Sequence, residues 1–176
     1  MAEVSKYFVP EDDADLVGKE REIAEAFWNV GLFVVTQDRF VYQRIEEWKK
    51  QGRPLPASVH NFPFAEMGLG GSPSYDPVPN SIYDLSCPKC GAEIAEEAYE
   101  AWGDEESNIA LPQREIVCPS CHVASKSITL KSQDPFTFSR LYLWVADIET
   151  DEWDSSFKAT VEGILGPCQE ITAWET

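Results

Sequence analysis

Hydrophobic positions along the chain follow two periods, two and three to four, and a long stretch in the middle follows neither. Val4 to Val9 is an apolar-rich run ended by Pro10, which predicts a short strand. Acids at Glu11, Asp12, Asp13 and Asp15 follow, where a helix N-terminus favours negative charge. Leu16, Ile23, Phe27 and Val30 recur near helical spacing, Ala24 and Trp28 widen the stripe, and Gly31 suits the residue after a helix end. Leu32 to Val35 predicts a buried strand or a junction. Thr36 is placed to cap a second helix. Its apolar face is Val41, Ile45 and Trp48, Lys49 and Lys50 fall in its last turn, and Gly52 lies beyond. Both helices are expected to pack on a core.

From 52 to 80 the pattern fails. Six prolines and four glycines predict a long irregular connection, too apolar at Phe62, Phe64, Met67 and Leu69 to be a free linker and therefore wrapped on the surface. Within it, Gly68-Leu69-Gly70-Gly71-Ser72 has the glycine density of a phosphate loop. It lacks the lysine and a strand leading into it. Period three to four returns at Ala92–Trp102, a predicted helix with Ala95, Tyr99 and Trp102 on one face. Glu93, Glu96, Glu97 and Glu100 fill much of the rest, as a solvated face or a landing strip for a basic partner with Tyr99 and Trp102 as anchors. Phe136 to Ile148 alternates strictly, with Leu141, Leu143 and Val145 on one face. Phe136, Phe138, Tyr142, Trp144, Ala146 and Ile148 lie on the other, and Arg140 is the exception. This predicts a long central strand covered on both faces. Asp154 or Ser155 caps a last helix carrying Phe157, Val161, Ile164 and Leu165, Gly166-Pro167 stops it, and Cys168 to Trp174 is a closing strand.

Between the acidic helix and its flanks sit Cys87-Pro88-Lys89-Cys90-Gly91 and Cys118-Pro119-Ser120-Cys121-His122. Two residues between paired cysteines let both sulfurs of a tight turn face one ion, and four thiolates are a common structural set for zinc. A redox dithiol or a disulfide framework are the competing readings of each pair. With Ile82, Tyr83 and Leu85 before the first turn and Ile116 and Val117 before the second, residues 81–131 resemble the zinc-ribbon family, whose knuckles lie on two β-hairpins. His122 stands where that family more often has glycine. The resemblance implies one structural Zn²⁺ held by Cys87, Cys90, Cys118 and Cys121, with His122 a neighbour and not a ligand. Four cysteines close the coordination sphere, so no catalytic metal is expected. Cys168 is read as a small buried hydrophobe.

The elements repeat at the two ends: strand, acidic cap, helix, glycine and strand at 4–36, and again at 138–174. The predicted class is therefore α+β, a ferredoxin-like or similar sandwich of two β-α-β halves with an inserted zinc ribbon. The expected organisation is a first half with an extra helix at 1–51, the proline- and glycine-rich segment at 52–80, the ribbon at 81–131, and a second half at 132–176 packing with 1–36.

Charge changes the functional picture more than the fold. The 176 residues carry a formal net charge of −17, with 8 Lys/Arg against 13 Asp/Glu up to residue 76 and 6 against 18 after it. A phosphate backbone would be repelled, so direct nucleic-acid binding is not expected. With 43% apolar residues the chain has material for an ordinary core. No apolar run is long enough to span a membrane, and the first residues lack the basic start and apolar stretch of a secretion signal, so a cytoplasmic location is expected. No nucleophile–base set or nucleotide fingerprint is present, and no catalytic residue is assigned. The expected function is a non-catalytic, acidic, zinc-stabilised module that binds a basic protein, as an immunity or inhibitor protein would. One alternative is a zinc-ribbon accessory factor of nucleic-acid machinery, which needs a basic patch of Arg114, Lys126 and Lys131. Another is an enzyme using 62–75 as a lid.

Overall fold

The computed structural model describes residues 3–36, 40–52, 66–82, 84–146, 148 and 155–175. In chain order they form strand β1 (Glu3–Pro10), helices α1 (Glu20–Asn29) and α2 (Phe40–Lys50), strand β2 (Glu66–Val78), helix α3 (Ala95–Trp102), short strands β3 (Glu115–Val117) and β4 (Ala124–Lys126), strand β5 (Thr137–Ala146), helix α4 (Ser155–Leu165) and strand β6 (Cys168–Glu175). The class is mixed α+β, with a mainly antiparallel sheet. Two compact units result: Met1–Ser74 with Arg140–Thr176, and Tyr75–Ser139.

In the first unit the sheet order is β2-β5-β1-β6. β1 runs antiparallel to both neighbours, Tyr7 opposing Trp144 on β5 and Ile171 on β6. One face of the sheet carries Val4, Phe8, Leu141, Leu143 and Val145. Ile23 and Phe27 of α1 and Phe157, Val161 and Leu165 of α4 complete that core. Each such side chain contributes about 1.5–3 kcal/mol on burial. Tyr7 and Tyr142 are buried as well, their rings 6.0 Å apart, so β5 is covered on both faces as its alternation predicts. Ile148 departs from that alternation and joins the cluster of Leu141 and Leu143.

Three expectations are corrected. First, α1 begins at Glu20, not at the acidic run. A turn closes there instead, with the Leu16 and Val17 amides donating to the Asp13 carbonyl and Gly18 at φ 83°. Asp13 is thereby free to meet Arg140, the one charged residue in the β5 alternation, with Nη2 to Oδ1 at 2.6 Å. That guanidinium hydrogen bond holds the Asp13 carboxyl below its ordinary value of 3.8. Val30 falls beyond the helix and is exposed.

Second, the partner strand of the first half is 66–78, where the prolines and glycines predict irregular chain, and not Leu32–Val35. The latter makes a single bridge, Val35 to Gly68. Third, the glycines are explained by β5. A Cβ at Gly68 would enter the Trp144 ring, one at Gly70 the Tyr142 ring, and one at Gly71 would meet the Arg140 backbone. Large rings of one strand fill the space that a Cβ on the next would need, a pairing that only glycine permits. The contacts run in opposite numerical order, so β2 is antiparallel to β5. Gly68-Leu69-Gly70-Gly71 is sheet and not a phosphate loop, and residues 66–75 are strand and not a lid. Residues 62–65, like Thr36's expected cap partners at 37–39, lie outside the described residues.

Candidate metal centre

The second unit is small. Its buried cluster is Ile82, Leu85, Cys87, Ile94, Ala98, Ile116, Cys118 and Leu130. Two of those eight are knuckle cysteines, so half of the candidate metal ligands are also core residues.

The two knuckles are built alike. In the first, the Cys87 amide donates to the Ala92 carbonyl at 2.8 Å and the Gly91 amide to the Cys87 carbonyl at 2.9 Å. In the second, which joins β3 to β4, the Cys118 amide donates to Val123 at 3.1 Å and the His122 amide to Cys118 at 2.9 Å. Each turn must reverse through a left-handed residue four positions after its first cysteine. Gly91 does so at φ 75° and His122 at φ 59°. This explains the departure noted in the sequence: His122 occupies the glycine position of the turn, exposed to solvent, and is outside the four-residue sulfur cluster.

The four sulfurs lie within 4.8 Å of one another. Cys87 Sγ is 3.8 Å from Cys121 Sγ, and Cys90 Sγ is 3.6 Å from Cys118 Sγ. A tetrahedron with metal–sulfur bonds of about 2.3 Å has edges of about 3.8 Å, which is the spacing that zinc requires. A disulfide would need about 2.05 Å. A redox dithiol would pair the cysteines of one turn, whereas these contacts cross between turns. The cluster can hold a metal ion such as zinc. Cys87 and Cys118 are buried, Cys121 is half-buried and Cys90 faces solvent. The amides of Cys90 and Lys89 point at the Cys87 sulfur, Lys89 N at 3.4 Å, and lower its thiol to about 7. Cys90 is raised to about 12: its backbone hydrogen bond favours the thiolate, but the neighbouring Cys118 and Cys121 thiols and burial outweigh it.

Residues around the centre fix the knuckles in place. Ser127 is fully buried, and its hydroxyl accepts from Trp102 Nε1 at 2.9 Å and donates to the Arg114 carbonyl at 3.0 Å. Arg114 donates from Nη1 to the carbonyls of Ala101 and Trp102 and from Nε to Ile109, closing the C-terminal end of α3. Tyr99 OH donates to the Ile82 carbonyl and accepts from its amide. Asp84 accepts from Ser132 and the Gln133 amide; burial works against its ionised form, but these bonds outweigh it and hold the carboxyl below 3.8.

Several expectations change here. Arg114 is committed to carbonyls and Lys126 donates to Gln113 Oε1, so the basic patch needed by the nucleic-acid alternative loses two of its three members. Tyr99 and Trp102 are tied into the unit's own structure by hydrogen bonds, and Tyr99 is 38% exposed. Cys168 lies in the other unit, buried, with its thiol pushed up to about 12 chiefly by that burial. Ser127, Asp84 and Arg114's role were missed, because single polar residues in short segments carry no period. Among the described residues no helix is long and apolar enough to cross a membrane. Comparison with protein-family models, with curated proteins and with solved structures returned no match, so the site rests on its own geometry.

Proposed function

We propose that the protein is a non-catalytic binding module, stabilised by one structural Zn²⁺ on Cys87, Cys90, Cys118 and Cys121, that presents an acidic surface to a basic protein partner. The observation that carries the partner is how the cations are used. Against the net charge of −17, Lys6 pairs with Glu170, Arg44 with Glu25, Arg140 with Asp13 and Lys158 with Glu170, while Arg114 serves backbone carbonyls. The remaining acids dominate the exterior, and such a field steers a basic partner and speeds its encounter. Four thiolate ligands leave no open position for a substrate or water, which supports a structural and not a catalytic metal. An immunity- or inhibitor-type role against a basic protein fits this surface.

For the first unit we propose a ferredoxin-like sandwich. The order β2-β5-β1-β6, with α1 and α4 on one face, is the arrangement expected of two interleaved β-α-β halves. Elemental analysis should find one zinc per chain. A low-salt pull-down with the zinc-loaded protein should recover a basic protein that is released as salt rises. Recovery of none, or of partners insensitive to salt, would remove the reading.

A further inference from the structure

The second unit contains an open groove of about 470 Å³ between α3 and β3, lined by Glu97, Glu100, Ala101, Asp104, Glu115, Ile116 and Val117. Three properties of this groove point the same way. Its lining is part apolar, with Ile116 buried and Val117 more than half exposed at 57%. Its walls carry four carboxylates, none of which is in an ion pair among the described residues. One side of it is a strand edge. Among the described residues, β3 pairs with β4 alone in a two-stranded sheet. The Ser127 amide donates to the Arg114 carbonyl and the Cys118 amide to Val123, so the bonds across to β4 fall on even-numbered residues. By the antiparallel alternation, the N–H and C=O groups of Glu115 and Val117 turn away from β4, and both residues line the groove.

We infer that this groove is where the basic partner of the proposed function is held, and that it takes an extended segment with alternating basic and apolar residues as an added strand on the edge of β3. This rests on the acidic-module reading and adds the surface and the form of the ligand. The segment's backbone pairs with Glu115 and Val117, as in strand addition generally. Its Lys or Arg side chains lie on the face of Glu115 and Val117, where Glu97, Glu100, Asp104 and Glu115 meet their charges and Val117 packs on their aliphatic stems, and its apolar side chains turn to the opposite face. Charge complementarity selects this occupant. A polyanion is repelled, and an apolar segment leaves four carboxylates beside a dry strand.

The probe is a fluorescein-labelled Lys-Val-Lys-Val-Lys peptide, read by anisotropy against the zinc-loaded full chain at low salt. The groove variant combines Glu97→Gln, Glu100→Gln and Glu115→Gln. A control variant with the same charge change combines Glu22→Gln, Glu46→Gln and Glu47→Gln, three exposed acids of α1 and α2. Zinc content and circular dichroism establish that both variants are folded. The groove variant should bind about 10-fold or more weakly and the control within about 2-fold of the parent. Methylating the central backbone amides of the peptide should also abolish binding. Equal loss in both variants means that the net charge alone attracts the peptide. Unchanged binding by the groove variant places the peptide elsewhere. Either result overturns the groove and leaves the acidic-module reading standing. No peptide binding by the parent at low salt overturns both. If the parent forms a concentration-dependent dimer that the groove variant loses while peptide binding persists, the occupant is a second copy and the inference falls.

Discussion

Stripping the metal tests the centre most directly, because its effect should be confined to one of the two units. Binding of structural Zn²⁺ to such thiolate sets is worth about 10–16 kcal/mol, and a whole domain is stable by only about 5–15 kcal/mol. The second unit's buried cluster has six apolar residues besides Cys87 and Cys118. Removing the ion leaves four thiols within 4.8 Å with nothing to hold them, two of them inside that core. The first unit's core contains none of these cysteines. Hydrogen exchange read by mass spectrometry, before and after a strong chelator, should therefore split the chain. The amides of Cys87, Ile94, Cys118 and Ser127, each bonded within the second unit, should lose at least 4 kcal/mol of opening free energy, roughly a thousand-fold in exchange rate. Amides of β1 and β6, paired along Glu3–Pro10, should keep their protection. If the knuckle amides exchange as slowly after verified metal removal as before, the metal is not what folds this unit.

Three further outcomes follow from particular contacts. At the knuckles, His122→Gly should raise unfolding free energy by about 0.5–1 kcal/mol, the left-handed strain of about 1–2 kcal/mol less the added freedom of the unfolded chain. Gly91→Ala should lower it by a similar amount, since a Cβ there meets nothing within 4 Å and only φ opposes it; denaturant melts of the zinc-loaded protein decide both. Asp13→Asn should cost about 1.5–2 kcal/mol at neutral pH. Because the folded Asp13 carboxyl is lowered by Arg140, its stabilisation is fully present above 3.8 and lost as pH falls through the still lower folded value, so the melting curves of parent and variant should converge only in strong acid. Gly70→Ala should destabilise by about 1–3 kcal/mol through overlap with the Tyr142 ring, and Tyr142→Ala in the same chain should recover part of that loss in thermal melts.

What could be read in advance was what repeats. β5 announced itself because Leu141, Leu143 and Val145 alternate over a long run, and α4 because Phe157, Val161 and Leu165 share a face that Gly166 ends at φ 78°. The sulfur cluster was legible for the same reason, as two copies of one short spacing. β2 was not legible, because its residue choice answers Tyr142 and Trp144 some seventy residues later. Glycine in that strand is a statement about its neighbour, and no local rule detects it. The acids at 11–15 were misread as a helix start because charge favours a helix N-terminus but does not choose among partners; Asp13 took Arg140 instead. The groove was half visible: Glu97 and Glu100 share a predicted helix, but Glu115 reaches them only through the fold.

The four-cysteine unit leaves the sheet on β2 and returns on β5, and these strands are immediate neighbours, about 4.8 Å apart, running in opposite directions. Entry and exit of the insert therefore lie side by side, at a place where a tight two- to five-residue turn would suffice to connect them. The four-stranded sheet is topologically whole without this four-cysteine insert. Such a junction tolerates exchange: the insert can be lengthened, replaced or deleted by recombination at two adjacent points without rethreading a single strand of its host.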